Sequence, residues 1–457
     1  METIHIYHTN DVHSHLEHWP RIHQFLAERK KGHLKQAEDV FLFDIGDFVD
    51  RWHPFSEATK GKGNTRLLNE SGYTAVTIGN NEGINLSYQD LDHLYDEASF
   101  DVLVANFYKK DLIQPSWVKP FKLYSTQEGT RIAVIGLTAY FSQPFELLGW
   151  QLTEPFLELK RQVEAIKGNA DVIILLSHLG INMDEEIAEQ FPAIDVILGG
   201  HTHHVLQEGK VVNQTLIGAA GKFGNYVGYT TLEISEQKEV IHKQAILYDV
   251  NELPVINGEA DKADALYRKG KKMLSQKITV LPEPLENNYF QATNFSRLLC
   301  EALREWCDAD CAFLNAGLLL GPLSGNVTNF HLLTVCPHPI NPCKVELSGK
   351  ELASVLFQTR AEKWPQQKIY GLGFRGTVMG TFVYDQIDFN QREILIDNQE
   401  IDPAKRYSLA IPDMFAFGRF FQELYHCQKK RYYLPEFLRD LLKWKLQNGR
   451  NSFPSLS

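Results

Sequence analysis

Short β-branched runs recur through the first 250 residues, at "TIHIYHT" (3–9), "VFLFDI" (40–45), "AVTI" (75–78), "DVLVAN" (101–106), "RIAVIGL" (131–137), "DVIILLS" (171–177), "DVILG" (195–199), "TLIGAA" (215–220) and "GYTTLEI" (228–234). Most are separated by stretches with helical character, which predicts an α/β layering with largely parallel, buried strands. A proline-containing connector, "NELPVING", then leads through "GEADKAD" into "ALYRKGKKMLSQ" (265–276), which reads as an exposed basic linker helix. From about residue 277 the pattern restarts, with "FSRLLCEALREWC" apolar at helical spacing and strands at "CAFLN" and "GTFVYD". The expected organisation is a domain over 1–250, a linker with a helix over 251–276, and an α+β domain over 277–457.

The residues that end the strands of the first domain turn the picture from architecture to chemistry. The first strand runs into "NDVHSH", the second into "GDF", the third into "GNNE", and the strands at 171–177 and 195–199 into "SHLG" and "GHTHH". Five strand ends therefore carry Asp11, His13, Asp47, Asn80, His178, His201 and His203. A single histidine after a strand is ordinary, but the carboxyl ends of strands in α/β sheets converge on one crevice, so these residues are expected to meet. Carboxylate, amide and imidazole without thiolate suit Mn²⁺, Zn²⁺ or Fe²⁺. The set is too large for one tetrahedral ion and suits two ions about 3.5–4 Å apart, the arrangement that clamps an in-line displacement at phosphorus.

Composition narrows the classes. A chain of 457 residues, 44% hydrophobic and 23% charged, fits two globular domains. No run of 18 apolar residues is present, and "METIHIYHTNDVH" has neither a basic leader nor an apolar core, so no membrane association and a cytoplasmic location are expected. The formal net charge of −11, without a basic cluster, argues against long nucleic acid as a partner. Cys300, Cys307, Cys311, Cys336, Cys343 and Cys427 lie at spacings unlike zinc knuckles and are expected to be reduced, structural thiols. "GLGFRG" (371–376) precedes a strand instead of joining strand to helix, so its Gly-x-Gly-x-x-Gly match does not read as a dinucleotide site.

In this order, Asp-x-His, Gly-Asp, Gly-Asn-x-Glu, Ser-His and Gly-Gly-His-Thr-His resemble the calcineurin-like metallophosphoesterases. More narrowly, the chain resembles the bacterial 5′-nucleotidase/UDP-sugar hydrolase/cyclic phosphodiesterase family over nearly its full length, through "ADCAFLNAG" (309–317), "PHPINP" (337–342), "VELSGKEL" (345–352) and "IDPAKRYSLAIPD" (401–413). The resemblance implies an α/β/β/α four-layer sandwich followed by a C-terminal α+β substrate-recognition domain. It implies that Asp11, His13, Asp47 and His203 hold one divalent ion, and that Asp47 bridges to a second held by Asn80, His178 and His201. The implied activity is hydrolysis of a phosphorylated small molecule, a nucleotide in this family, by water whose pKa the ions lower toward neutrality.

Several positions depart from the family pattern. In "GNNEGIN", Asn81 stands where the family has its acid histidine and Ile84 where that histidine's aspartate stands. An amide cannot deliver a proton, and general acid catalysis is worth typically 10²–10⁴-fold. Activity is therefore expected to survive best on anhydrides and other good leaving groups, with His15 and His53 as candidate replacements. In the substrate loop, "NAGLLL" keeps Asn315 but places Leu320 where the family has an arginine. Phe374, followed by Arg375, falls at the first base-stacking position, and Met414 at the second, where Phe415 or Phe417 would have to substitute. The competing expectation is a protein that keeps its ions and binds a nucleotide with little or no turnover. A nuclease is disfavoured by the acidic balance and the nucleotidase-like second domain.

Overall fold

A computed structural model describes residues 1–390 and 393–448, and the chain forms two compact units, Met1–Gly270 and Lys271–Ser457. The first unit opens with β1 (Glu2–Thr9), α1 (Trp19–Lys35), β2 (Asp39–Asp44), β3 (Ala75–Val76) and α2 (Asn80–Asn85). It continues through β4 (Asp101–Leu103), β5 (Val118–Lys119), β6 (Phe121–Ser125), β7 (Arg131–Leu137), α3 (Pro155–Ile166), β8 (Val172–Ser177) and α4 (Ile181–Gln190). After β9 (Val196–Gly199) come β10 (Lys210–Val212), β11 (Thr215–Gly218), β12 (Tyr226–Ile234), β13 (Val240–Asp249) and α5 (Glu259–Met273), the last of which crosses the boundary between the units.

Two sheets result, one of seven strands in the order β13-β12-β1-β2-β3-β4-β5 and one of six in the order β10-β11-β9-β8-β7-β6. The interior of each is parallel, as the continuous apolar runs predict, while β12, β13, β10 and β6 pair antiparallel at the margins. The period-two alternation of strands decides the layers. Ile4, Ile6, Phe43, Val134, Ile174 and Leu198 form one buried cluster between the sheets. Ile135, Leu175 and Ile197 pack outward with Leu159 and Ile166 of α3 and Ile187 of α4. On the far side of the first sheet Tyr7 bonds His33 of α1, which completes an α/β/β/α sandwich. The hydrophobic pattern does not mark β13, because "VIHKQAILYD" is a polar, half-exposed edge strand.

The second unit contains α6 (Asn294–Cys307), β14 (Cys311–Asn315), β15 (Pro342–Ser348), α7 (Gly349–Thr359), β16 (Phe382–Asp385), β17 (Arg406–Pro412), β18 (Lys430–Tyr432) and α8 (Leu438–Asn448). Its main sheet is mixed, in the order β16-β14-β17-β15-β18. Thr293 and Ser296 cap α6 reciprocally, and its apolar face buries Phe295, Leu299 and Leu303. All six cysteines are free thiols and five of them are buried, where desolvation pushes Cys336 up to about 12 and Cys300 well above the ordinary range. Among the described residues, no helix is long and apolar enough to cross a membrane.

Candidate active site

All seven residues singled out at strand ends come together in the first unit, beyond the carboxyl ends of β1, β2 and β3 in one sheet and β8 and β9 in the other. Donor atoms of Asp11, His13 and His203 lie within 4.8 Å of one another, as do those of Asp11, Asp47 and His178. Asp47 Oδ2 stands between two imidazoles, 3.6 Å from His13 Nε2 and 3.5 Å from His178 Nε2. Asp11 Oδ1 is 3.4 Å from His203 Nε2 and 3.9 Å from His178 Nε2. His201 Nδ1 lies 2.8 Å from Asn80 Oδ1.

The backbone is bent to make this possible. Asp11, His13, Asp47, His201 and His203 all adopt left-handed conformations, with φ of 52°, 50°, 53°, 71° and 57°. Such a conformation costs a non-glycine residue roughly 1–2 kcal/mol and persists only where neighbours over-determine it. Here the loops after β1 and β2 are laced together: Asp11 N–H donates to Gly46 O, His13 N–H to Asp47 O and Ser14 N–H to Phe48 O. Buried Glu82 ties in the third loop by accepting from the backbone N–H groups of Asp47, Val49 and Gly79 at 2.8–2.9 Å. Burial, with the Asp47 carboxylate adding to it, pushes Glu82 up to about 7. Gly79 is needed because a Cβ there would lie 2.1 Å from Asp47 Oδ1.

These donors fit divalent ions. His178 donates from Nδ1 to Ile45 O at 2.6 Å, which leaves the lone pair on Nε2, and that atom is buried without a hydrogen-bond partner. His13 Nε2 and His203 Nε2 face each other at 3.3 Å. Burial opposes charging His178, but the Asp47 and Asp11 carboxylates outweigh it and push the imidazole up to about 10. The same histidine, against an opposing burial penalty, holds Asp47 far below the carboxylate range. Such a buried cluster of acceptors requires positive charge at its centre, from protons or from cations.

Two residues to which the sequence motifs assign no role support the cluster. Asp50, three positions after Asp47, places Oδ2 3.4 Å from His13 Nδ1 and takes Ser14 Oγ on its N–H. Glu82 is the other, and its motif position is the only signal for it. Aromatic rings edge the cluster: Phe141 is T-shaped to His201 at 5.5 Å, and Phe223, itself left-handed, stands 5.9 Å from His13.

Asn81 is buried, its N–H donating to Asp47 Oδ1 at 2.7 Å and its Nδ2 lying 2.8 Å from His13 Nδ1. Ile84 comes later on the same short helix, α2. His15 packs against Phe223 and Trp52 with Nδ1 2.9 Å from Glu17. His53 caps Phe55 N–H and is held near 4 by burial, so it is a neutral structural group and not an acid at ordinary pH.

In the second unit Asn315 is fully buried, its Nδ2 donating to Met379 O. Phe374 is also buried, stacked flat on His338 at 5.1 Å and 4°, while Arg375 N–H donates to His338 Nδ1. The reading of Phe415 as a base-stacking residue is corrected: it lies at 0% exposure among Phe313, Phe382 and Phe421 and offers no face to a ligand. Met414 is buried as well, and the exposed aromatic ring of that turn is Phe417.

Residues 4–205 match the calcineurin-like phosphoesterase family and residues 276–421 the 5′-nucleotidase C-terminal domain. The chain is 40% identical to YunD of Bacillus subtilis (strain 168), an uncharacterized metallophosphoesterase, over 97% of this chain and 99% of that protein. It is 27% identical to the 5′-nucleotidase of Homo sapiens over 76% of this chain and 70% of that one. Its fold is like that of a Staphylococcus aureus protein provisionally named a 5′-nucleotidase, with a TM-score of 0.71 at 20% identity, covering 98% of this chain and 97% of the other.

Proposed function

The chain belongs to the calcineurin-like metallophosphoesterases that carry a 5′-nucleotidase C-terminal domain, hydrolases acting on phosphoric esters, and from that premise we propose that it is a dinuclear-metal phosphohydrolase for a phosphorylated small molecule, with nucleotides as the substrate class. The observation that carries the proposal is the convergence of donors in two adjoining groups that share Asp11, one with His13 and His203 and one with Asp47 and His178, with the buried Nε2 of His178 unpartnered. Asp11, His13, Asp47 and His203 would hold one ion, and Asp47, Asn80, His178 and His201 the other; this nitrogen and oxygen set suits Mn²⁺, Zn²⁺ or Fe²⁺. Bound there, a pair of divalent ions supplies Lewis acidity toward phosphoryl oxygens and activates water.

The protein's own residues fix the geometry of that reaction. Glu82 and Asn81 hold the Asp47 loop, Ile45 O sets the tautomer of His178, and Asn80 orients His201. No residue presents a proton to the leaving group from the Asn81 position, because its amide is turned onto His13. That burial favours substrates whose leaving group departs without protonation, such as di- and triphosphates and nucleotide sugars, over AMP. The test is phosphate release from nucleoside mono-, di- and triphosphates, nucleotide sugars and cyclic nucleotides with added Mn²⁺, for the wild type and Asp47→Asn. Metal-dependent turnover lost in the variant supports hydrolysis, and AMP as the fastest substrate would overturn the leaving-group preference. Stoichiometric metal with no turnover on any compound would favour instead a metal-retaining protein that binds a nucleotide or a partner, the reading that the absent acid at Asn81 and the leucine at position 320 also favour.

A further inference from the structure

A second group of metal-type donors lies on the opposite face of β1 from the sandwich core, under the C-terminal end of α1. His5 of β1, His33 of α1 and Glu38, in the turn leading to β2, place ligand atoms within 4.8 Å of one another. Glu38 Oε2 is 3.1 Å from His5 Nε2 and 2.8 Å from His33 Nδ1, and the two imidazoles stack at 3.8 Å. The outer nitrogen of each ring is engaged by a tyrosine hydroxyl: His5 Nδ1 by Tyr229 at 2.8 Å and His33 Nε2 by Tyr7 at 3.0 Å. When those outer nitrogens carry the N–H, the inner nitrogens present lone pairs, and three acceptors then converge on one point. His5 is more than nine-tenths buried, and its Nε2 has no hydrogen bond of good geometry.

We propose that His5, His33 and Glu38 form a separate mononuclear site for a divalent ion of the zinc class, with water completing the coordination. Two imidazoles and a carboxylate with an open position are an established zinc donor set. Tetrahedral bonds of about 2.0–2.1 Å separate ligand atoms by roughly 3.3 Å, close to the carboxylate–imidazole gaps of 2.8 and 3.1 Å, and the two imidazoles turn out of their stack to bring both in-plane lone pairs onto the ion. Tyr7 and Tyr229 serve as the outer partners that fix ring orientation and tautomer. Glu38 is half-buried, at 32% side-chain exposure, which leaves an entry path. An ion here pins the end of α1 and the turn after it to β1, the strand that runs into Asp11.

The experiment compares Zn²⁺ bound per chain in wild type, Glu38→Gln and His33→Gln, by elemental analysis after equilibration with free Zn²⁺ and gel filtration. Glu38→Gln is the primary variant because the side chain is at the surface, and His33→Gln checks it from the helix. The expected result is one equivalent less in each variant, a difference independent of how many ions the active site holds. Its success or failure is thus separable from that of the proposed hydrolytic function. Asp47→Asn retains this equivalent and loses it when Glu38→Gln is added. In Co²⁺-loaded protein the same Asp47→Asn background shows a visible ligand-field band that Glu38→Gln removes. Losing a ligand costs at least the 10–100-fold in affinity seen for outer-shell partners. Equal metal content in wild type and both variants, all folded by circular dichroism, would overturn the site.

Discussion

Asn81 Nδ2 lies 2.8 Å from His13 Nδ1, so the residue at the family's acid position is turned onto a metal-type histidine, away from any leaving group. Asp50 Oδ2 approaches the same nitrogen at 3.4 Å, and a carboxylate there favours the N–H on Nδ1, which leaves the Nε2 lone pair for an ion. Asn81→Ala and Asp50→Asn are therefore expected to weaken the Mn²⁺ dependence of activity by roughly 10–100-fold in half-saturating metal. At saturating metal kcat should recover to within about tenfold, since neither side chain transfers a proton. A Mn²⁺ titration of phosphate release separates the outcomes: a loss that no metal concentration rescues would assign Asn81 to the chemical step.

Gly79 and Asp47 give a sharper case, because a Cβ at residue 79 would lie 2.1 Å from Asp47 Oδ1 and 2.5 Å from Asp47 N. Gly79→Ala must push the Asp47 loop away and break the bond from Asn81 N–H to that carboxylate. Displacements of this size at a catalytic group cost 10²-fold or more. Bound metal and turnover should fall together while the far-ultraviolet circular dichroism stays that of the wild type. Full metal content in a folded Gly79→Ala protein would show that the loop relaxes freely.

Much of the first unit was legible because its strands are continuous apolar runs, and because the polar residues that end them break that pattern abruptly. Asp11 to His203 could be placed at the carboxyl ends of the strands, around one crevice, from their order alone. What could not be read was conformation and mutual contact. The left-handed backbone at Asp11, His13 and Asp47 arises from hydrogen bonds between loops distant in sequence, and no local propensity signals it. Asp50 and Glu82 carry ordinary residue types whose roles depend on tertiary distance. In the second unit Phe415 was misread for a related reason: an aromatic residue in a turn looks the same in sequence whether it faces a ligand or three other phenylalanines.

Removing metal should destabilise the first unit specifically. Asp11, Asp47 and Glu82 are buried carboxyl groups at or beside one cluster, and bound cations offset their mutual repulsion. Free ion at about 1,000 times its Kd stabilises the folded state by roughly 4 kcal/mol per site. Chelation is thus expected to lower the unfolding temperature and to raise hydrogen exchange in β1 and β8 while leaving β14 and β17 unchanged. Identical exchange in β8 with and without chelator would show that the cluster is held by protons alone.

Two buried groups, one in each unit, should respond to pH in opposite directions. His8 of β1 is buried with neither ring nitrogen hydrogen-bonded, and it is pressed so closely on Gly228 that a Cβ there would come 1.9 Å from the imidazole. Burial lowers its pKa from the ordinary 6.5 to about 4. Between those values the unfolded chain binds the proton that the folded one refuses, so stability is full above pH 6.5 and is lost as pH falls toward 4, by on the order of 3 kcal/mol. Asp413, after β17, has its pKa raised by burial from 3.8 to about 8, and its Oδ1 lacks a partner. Here the folded state keeps a proton that the unfolded chain releases, so the contribution is full below pH 4 and is lost as pH rises through 8. Hydrogen exchange resolved to β1 and to β17 across pH 4–9, corrected for intrinsic rates, reads each unit separately. His8→Leu should flatten the acid-side loss in β1, and Asp413→Asn the alkaline-side loss in β17. Unchanged slopes in the two variants would mean that water reaches these side chains and that their pKa values are ordinary.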